Sequence, residues 1–378
     1  MEVLSGITHN LVWFLVVLTI VVYFHELGHY SVARLCGVRV ETFSIGFGRE
    51  ILGYTAKSGT RWKMGIIPLG GYVKFFGDAG PVSNKDFDAD HNMSAEDRKV
   101  SFHYKSLKQK FAIVAAGPMA NFLLAVVILS TIFVTFGRPH TPPIIGSVMA
   151  DSAAAKSDLR VGDKIVQIDQ RSIKRFEEIR DIVLFRPGER LELLIVRAGE
   201  RLQIHATPSA SEVTDNLGNT HRVGILGIGV SGREYRKLGI GSAVVASISE
   251  TYFLVQRTME GLGQIIAGTR SAKELGGPVL IAQMSGQQAA NGPLSFFNFV
   301  VILSVTLGLI NLFPIPVLDG GHLLFFGIEA IRGRPLGERA QEYGYFAGLV
   351  FIVSLMVLTT VNDLSRPAVV DFFSRLVG

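Results

Sequence analysis

The sequence predicts a polytopic α-helical membrane protein with four transmembrane helices, because long apolar segments dominate its composition. Hydrophobic residues make up 48% of the 378 residues, and the mean hydropathy is +0.36. Apolar runs occupy residues 11–35, 111–136, 296–318 and 345–361, and each approaches the roughly 20 residues that a helix needs to cross a bilayer. They lack the alternation of barrel strands, so helices are expected to satisfy the backbone in these segments.

The first apolar segment is predicted to be a retained transmembrane helix within residues 1–36. Residues 1–10 contain no Lys or Arg, whereas a cleaved secretory signal begins with a positively charged region. We therefore expect this segment to stay in the mature protein. The second span is predicted over residues 111–137.

Residues 37–110 are predicted to form a membrane-associated β-hairpin and a connector on the cytoplasmic side. Strand-like apolar runs within residues 41–77 are interrupted repeatedly by glycine, which is typical of hairpins. They are more apolar than an ordinary loop, so we expect the hairpin to dip into the membrane, where protein or a wet cavity must satisfy its edge. A small soluble hairpin is the alternative. Residues 78–110 are polar and are predicted to form the connector, with an amphipathic stretch.

Residues 138–235 are predicted to form an inserted α+β domain with its following strands. From residue 142 onward a strand, a small-residue turn, a short helix, a Gly-Asp turn and another strand follow one another. This order resembles a PDZ domain of the bacterial protease type. The residues that carry the resemblance are Leu159, Gly162, Asp163, Ile165, Ile168 and Asp169. An unrelated small β module is the alternative.

The rest of the chain is divided according to its polarity. Residues 236–293 mix polar and apolar positions too closely for a span, and we predict amphipathic helices that lie on the outer membrane surface. A third span is predicted over residues 294–330, a cytoplasmic loop over 331–342, a fourth span over 343–362 and a tail over 363–378.

The basic residues indicate membrane orientation rather than nucleic-acid binding. The net charge is +5, but Lys and Arg concentrate in residues 34–110 and again in 331–342, beside the predicted spans. The positive-inside rule assigns both segments to the cytoplasm. We therefore predict a multi-pass protein of the cell inner membrane whose N-terminus and inserted domain are extracytoplasmic. The one cysteine, Cys36, permits no internal disulfide.

The first span carries an HExxH motif near its cytoplasmic end, at His25, Glu26 and His29. On a helix the two histidines lie one turn apart on one face, so both imidazoles can reach one Zn²⁺ while Glu26 stands beside it as a general base. The pattern also arises by chance, and buried histidines can simply bond a neighbouring helix. Charged groups inside a span cost roughly 2.5–3.5 kcal/mol apiece, which favours the metal site.

A third zinc ligand is predicted in the third span, because catalytic zinc sites usually have three protein ligands and one open position. Asp319 is the only carboxylate in residues 294–328. Pro314 and Pro316 break the helix before it, and Gly320 loosens the backbone after it. We predict that this break turns Asp319 inward toward the two histidines.

Together these features resemble the bacterial site-2 proteases, the regulator-of-sigma-E protease group of M50-type intramembrane zinc metalloproteases. The HExxH motif, the NxxPxPxLDGG motif of residues 311–321 and the PDZ-like module carry the resemblance. Shorter matches lie at residues 68–73, 117–121 and 276–278. The best-known members contain two tandem PDZ domains, whereas this sequence shows one.

The resemblance implies that His25, His29 and Asp319 bind Zn²⁺ and that Glu26 is the catalytic base. It also implies a zinc endopeptidase of regulated intramembrane proteolysis. Its expected substrate is a single-pass transmembrane protein, such as an anti-sigma factor, that another protease has already cut. Membrane lipid is the other expected partner, and nucleic acid is not expected.

Further polar and strand residues are candidate contacts for the substrate. Asn311 and Asn121 could hydrogen-bond the substrate backbone or the oxyanion, although hydrogen bonds between helices explain them equally well. The resemblance implies that one strand of the hairpin pairs with an extended substrate. The strand residues concerned are Gly70, Gly71, Tyr72 and Val73. His322 is expected to have a supporting role.

Two other function classes fit parts of the sequence. A metal transporter also has His and Asp inside its spans, but liganding residues would then be expected in more spans. A non-catalytic membrane adaptor could use the PDZ-like module for binding. Neither class needs Glu26, so a protease is the preferred interpretation.

Overall fold

The computed structural model of the chain describes residues 2–77, 93–184, 186–214, 220–232, 234–268 and 275–365. They divide into two compact units. The first, called the apolar unit, contains Met1–Ser130, Val244–Leu262 and Ala272–Gly378. The second, called the β-rich unit, contains Thr131–Ala243 and Gly263–Ser271. The predicted connector up to residue 92 and the predicted tail beyond residue 365 lie outside the described residues.

The N-terminal part of the chain contains two long helices, a short helix and a β-hairpin. In chain order its elements are α1 (Glu2–Leu35), β1 (Val40–Thr55), β2 (Arg61–Phe75), α2 (Ala95–Val100) and α3 (Leu107–Thr135). The apolar character of α1 and α3 follows from runs of Leu, Val, Ile and Phe that hold few charged side chains.

The hairpin of β1 and β2 is one antiparallel ribbon with an irregular register. The separate strand-like runs of the sequence join into two long strands because glycine absorbs the irregularities. Gly46 and Gly70 have φ values of +84° and +117°, which glycine adopts without strain. Phe43, which is 1% exposed, stacks on Trp62 with their ring centroids 4.2 Å apart. The ring centroids of Trp62 and Tyr30 of α1 are 5.1 Å apart, so the hairpin is packed against that helix.

The β-rich unit is built from short strands and short helices. Its elements are β3 (Arg138–His140), β4 (Ile145–Val148), α4 (Ala153–Lys156), β5 (Lys164–Ile168), β6 (Arg171–Ser172), α5 (Phe176–Leu184), β7 (Leu191–Arg197), β8 (Glu200–Ala206), β9 (Ser209–Thr214), β10 (Thr220–Ile225), β11 (Ile228–Val230) and β12 (Glu234–Arg236). One sheet has the strand order β6-β5-β7-β8, and β4 pairs with β11. The aliphatic core includes Ile145, Ile165 and Leu193.

The predicted Gly-Asp turn of this unit contains a buried ion pair. Gly162 has a φ of +92°, and Asp163 is 1% exposed. Arg197 donates to both oxygens of Asp163, at 2.7 and 2.8 Å, and the Arg160 amide donates to Oδ2 at 2.8 Å. Burial acts to raise the pKa of Asp163, but these donors outweigh it and hold the pKa below its usual value.

The remaining elements are helical. They are α6 (Ile240–Ile266), α7 (Pro278–Ala290), α8 (Pro293–Asn311), α9 (Asp319–Arg332) and α10 (Glu338–Leu364). Asp363 of α10 accepts hydrogen bonds from the Gly277 amide at 3.1 Å and the Leu280 amide at 2.9 Å. Its carboxylate therefore caps the N-terminus of α7.

Four of the described helices contain a stretch long and apolar enough to cross a membrane. The stretches are Gly6–Leu35, Leu107–Thr135, Pro293–Asn311 and Arg339–Leu364. They correspond to the four predicted spans, and the prediction is confirmed at the level of helix length and composition. The region predicted as amphipathic contains α6 and α7.

The predicted third span, residues 294–330, is two helices separated by a non-helical segment. α8 ends at residue 311 and α9 begins at residue 319, with two prolines between them. Val317 has a φ of +89°. A Cβ at Gly320 would lie 2.1 Å from the Phe313 carbonyl oxygen, so the chain folds back tightly on itself. The expected break is present, and its reason is the one predicted, since proline cannot continue a helix.

Candidate active site

Two histidines of α1 and a carboxylate of α9 meet at one point in the apolar unit. His25 and His29 lie one helical turn apart, and their Nε2 atoms are 3.3 Å from each other. Asp319 Oδ2 lies 3.2 Å from His25 Nε2 and 3.4 Å from His29 Nε2. The structure therefore brings the three predicted ligands together.

This donor set fits a tetrahedral zinc ion. Zinc bonds of about 2.0–2.2 Å to nitrogen and oxygen give a tetrahedron with edges of about 3.3–3.6 Å. The three observed distances of 3.2, 3.3 and 3.4 Å are close to those edges. Asp319 Oδ2 is also buried without a hydrogen-bond partner among the described residues, and a cation bound by the three side chains would satisfy it. Three protein ligands leave the fourth position for water or substrate.

Helix α3 holds His29 in the orientation that a metal ligand needs. His29 Nδ1 is 2.9 Å from the Ile113 carbonyl oxygen; Nδ1 therefore donates, and Nε2 presents its lone pair to the metal. The ring fills the space beside Gly117, where a Cβ would lie 2.2 Å from His29 Nε2. A Cβ at Gly28 would lie 2.3 Å from the Ala116 carbonyl oxygen. Both glycines are needed for α1 and α3 to approach this closely.

Two asparagines flank His25 at opposite ring nitrogens. Asn311, the last residue of α8, has its Nδ2 3.4 Å from His25 Nε2. Asn121 of α3 has its Nδ2 3.3 Å from His25 Nδ1, and it is fully buried. Asn311 therefore lies beside the nitrogen that faces Asp319 and His29, whereas Asn121 lies beside the other nitrogen.

Glu26 is buried between the ligands and strand β2. It is 7% exposed, and it lines the same cavity as the three ligands. A Cβ at Gly71 would lie 2.9 Å from Glu26 Cγ and 2.8 Å from Val22 Cγ1. Glycine at position 71 therefore allows the strand backbone to pass directly over the turn of α1 that carries Glu26.

A cavity of about 530 Å³ lies over the ligands. Five of its lining residues come from β2: Gly70, Gly71, Tyr72, Val73 and Phe75. Asn311 and His322 also line it, and His322 Nδ1 is 3.3 Å from the Tyr345 hydroxyl of α10. The predicted ligands, base, strand residues and Asn311 are thus gathered in one place. Asn121 is fully buried at the Nδ1 side of His25 instead.

The contacts that α3 makes to the histidines were missed by the sequence analysis. The contact to His29 is made by the backbone carbonyl of Ile113, which leaves no signal in the sequence. Positions 113, 117 and 121 are four residues apart, as are His25 and His29. Residues spaced in this way share one helix face, but every helix contains such spacings, so the periodicity alone does not reveal that these two helices face each other.

A sequence profile described as peptidase family M50 matches residues 13–355, a range that includes the three ligands and Glu26. The chain belongs to this family. M50 peptidases use zinc, in agreement with the donor set described above. With its four apolar helices, this M50 protease is an integral membrane protein.

Relatives of this M50 protease cover nearly its whole length. A protein of Agrobacterium fabrum, named as a candidate zinc metalloprotease, is 44% identical over 363 residues, which cover 95% of this chain and 96% of the relative. A Mesorhizobium japonicum protein with the same description is 42% identical over 364 residues, 94% and 98% of the two chains. Metalloprotease MmpA of Caulobacter vibrioides is 36% identical over 394 residues, 98% and 99% of the two chains. The protein is therefore a zinc metalloprotease.

A PDZ domain is among the solved structures with a likeness to part of this M50 protease. It belongs to an SdrC-like protein of Listeria monocytogenes and is 23% identical, covering 24% of this chain and 88% of that chain, with a TM-score of 0.19. The PDZ assignment of the β-rich unit stays a prediction that rests on its element order and its Gly-Asp turn.

Proposed function

We propose that this M50 protease is an intramembrane endopeptidase that cleaves single-pass transmembrane proteins, such as an anti-sigma factor. The proposal is based on the buried zinc-type donor set on helices of the apolar unit. His25, Glu26 and His29 are 7%, 7% and 8% exposed, and they lie on a helix apolar enough to cross a membrane. Ionisable groups are energetically costly in a membrane-spanning helix, so their presence in one indicates a function.

The reaction is divided between the metal and the side chains around it. Zinc, when bound, acidifies water and polarises the substrate carbonyl. Glu26 accepts the proton of the attacking water and delivers it to the amine as the peptide bond breaks. Asn311, whose amide is 3.4 Å from His25 Nε2, donates to the carbonyl oxygen as negative charge develops on it.

Strand β2 holds the substrate in an extended form. Among the described residues its strand partner is β1, and its segment from Gly70 to Val73 lines the cavity. A helical substrate keeps its carbonyl groups in intrahelical hydrogen bonds, so attack requires an unwound segment. Pairing of that segment with β2 by β-augmentation keeps one carbonyl beside the zinc ligands.

The β-rich unit is proposed to act as a size filter or reader of a shortened substrate, as a PDZ domain. This role rests on its predicted fold and on the family resemblance. It implies that an earlier protease makes the first cut in the substrate.

Glu26→Gln tests the proposed reaction. Gln keeps the volume of Glu but cannot take up the proton, so we expect turnover to fall by about 10²–10⁴-fold while one Zn²⁺ per chain is retained. Cleavage of a single-pass substrate in proteoliposomes and the zinc content of the same preparation are the two measurements. Unchanged cleavage would exclude Glu26 as the base. A wild-type enzyme that cleaves soluble peptides but no transmembrane substrate would contradict the intramembrane function.

Val73→Pro tests the strand edge, with Lys74→Pro as the matched control. Neighbouring N–H groups of a strand point to opposite edges, so the two prolines remove donors from different edges of β2. We expect the two variants to differ: the proline that removes an N–H from the free edge of β2 should lower turnover of a helical substrate more than that of a substrate unwound by helix-breaking residues. Equal losses for both variants on both substrates would show general damage to the hairpin and contradict the proposed pairing.

The proposed orientation has the β-rich unit outside the inner membrane and the active site toward the cytoplasm. It is supported by the basic residues between the predicted spans. In a Cys36→Ser background, we expect Gln170→Cys to react with an impermeant thiol reagent in intact spheroplasts and Glu96→Cys to react only after lysis. The opposite labelling pattern would reverse the orientation.

A further inference from the structure

Asn121 carries an unexplained buried polar atom next to a zinc ligand. Its side chain is fully buried, and its Nδ2 is 3.3 Å from His25 Nδ1. Its Oδ1 has no hydrogen-bond partner among the described residues. A buried acceptor left without a partner costs about 1–3 kcal/mol, so the arrangement needs an explanation.

The chemistry of His25 indicates which of the two amide atoms should face its ring. Its Nε2 is the atom that faces Asp319 and His29, at 3.2 and 3.3 Å. A neutral imidazole that binds a metal through Nε2 carries its proton on Nδ1, so Nδ1 is a donor. Two donors would then face each other at 3.3 Å. A half-turn of the Asn121 amide about its Cβ–Cγ bond exchanges two nearly isosteric atoms and brings Oδ1 to the imidazole N–H.

We propose that Asn121 is a positioning residue of the zinc site, whose Oδ1 accepts the Nδ1–H of His25 and so points the Nε2 lone pair at the metal. His29 has the equivalent partner in the Ile113 carbonyl oxygen at 2.9 Å. Ile113 and Asn121 are two helical turns apart on one face of α3, with Gly117 between them leaving room for the His29 ring. One stripe of α3 therefore orients both histidines of α1.

This inference rests on the zinc site of the proposed function and assigns Asn121 a role different from substrate binding. A second contact fixes the same residue from another helix, because Ser304 of α8 donates to the Asn121 backbone carbonyl at 2.9 Å. Ser304 thus offers a matched control, since Ser304→Ala removes a buried interhelical hydrogen bond to residue 121 without touching its side chain.

Zinc affinity of the full-length protein in detergent, measured by competition with a chelator, tests the proposal. Asn121→Leu removes the acceptor at similar volume, and we expect a loss of zinc affinity of about 10–100-fold, as for other outer partners of metal ligands. Asn121→Asp keeps an acceptor and should retain wild-type affinity or exceed it, and Ser304→Ala should leave affinity unchanged. Asn121→Ala provides a second variant without an acceptor if Asn121→Leu does not fold.

The spectrum of the Co²⁺-loaded protein gives a second readout that a merely structural role would not move. We expect the d–d bands to shift in Asn121→Leu and Asn121→Ala but not in Ser304→Ala. Wild-type zinc affinity in both acceptor-free variants would overturn the proposal, as would equal losses in Asn121→Asp and Asn121→Leu. Failure of the wild type itself to bind zinc would instead refute the proposed function, so the two failures are distinguishable.

Discussion

Two aspartates, one in each unit, are surrounded in different ways. Both oxygens of Asp163 accept hydrogen bonds from Arg197, at 2.7 and 2.8 Å. Asp319 faces the imidazoles of His25 and His29, and its Oδ2 lacks a hydrogen-bond partner among the described residues. A guanidinium is always charged in proteins, whereas a histidine that binds a metal is neutral. The chain itself therefore neutralises Asp163, whereas a bound metal cation would neutralise Asp319 beside two neutral imidazoles.

The carboxylate of Asp163 therefore stabilises the fold, whereas that of Asp319 is available to bind a cation. Removal of Asp163 breaks a completed set of hydrogen bonds, so it should lower stability. Removal of Asp319 deletes a ligand from an arrangement that is incomplete without metal, so it should lower metal affinity. The two aspartates can thus be tested against each other in the same protein.

The largest expected effect is on zinc affinity in Asp319→Ala. Because Asp319 is one of the three predicted ligands, we expect a loss larger than the roughly 10–100-fold typical of an outer partner. Asp163→Ala is the matched control and should bind zinc like the wild type. Chelator competition on the purified full-length proteins measures both. Full zinc occupancy and activity in Asp319→Ala would remove Asp319 from the site.

A smaller effect is expected on the stability of the β-rich unit. Arg197→Met leaves Asp163 buried without its main partner, which should destabilise this unit by about 1–3 kcal/mol. Hydrogen exchange of peptides from β5 and β7 measures the local opening free energy in the full-length protein. Asp319→Ala should leave those peptides unchanged, and equal destabilisation by both substitutions would show that the two aspartates do not differ in this way.

The smallest expected effect is on the pH dependence of stability in the β-rich unit. The pKa of Asp163 is held below its usual value in the folded protein; its contribution to stability is therefore present above the unfolded pKa of about 3.9 and is lost as the pH falls toward the folded pKa. We expect the β-rich unit to lose stability below about pH 4, and less so in Arg197→Met. Hydrogen exchange at pH 3 and pH 7, corrected for intrinsic rates, tests this. An unchanged pH dependence in Arg197→Met would show that other carboxylates dominate.

The meeting of the three candidate ligands could be predicted from sequence, because residues of these types are rarely tolerated at such positions. His25 and His29 sit four residues apart in an apolar helix, where titratable groups are costly. Asp319 follows two prolines that must break the helix. The four spans were predictable for the same reason, since only length and apolar content decide whether a helix can cross a bilayer.

The surroundings of the ligands could not be predicted, because they depend on which helix faces which. Gly117 gives no sign in the sequence that a His29 ring fills the space beside it. From the sequence alone, a contact to the substrate and a contact to another helix explained Asn121 equally well. Its burial and its distance to His25 distinguish the two. The long irregular strands of the hairpin could not be predicted either. A glycine such as Gly46 ends a strand in some proteins and forms a β-bulge within a strand in others.

The cap that Asp363 places on α7 has a practical consequence for handling the protein. His9 of α1 has its Nε2 3.1 Å from the Gly286 carbonyl oxygen of α7, so α7 joins the first and the last of the described helices. A Cβ at Gly277 would lie 2.8 Å from Asp363 Oδ2 and 2.9 Å from the Thr359 carbonyl oxygen, so α10 approaches the start of α7 closely. A purification tag or truncation that replaces the chain from residue 363 onward would therefore disturb the helix that carries the HExxH motif, and tags are better attached beyond that residue.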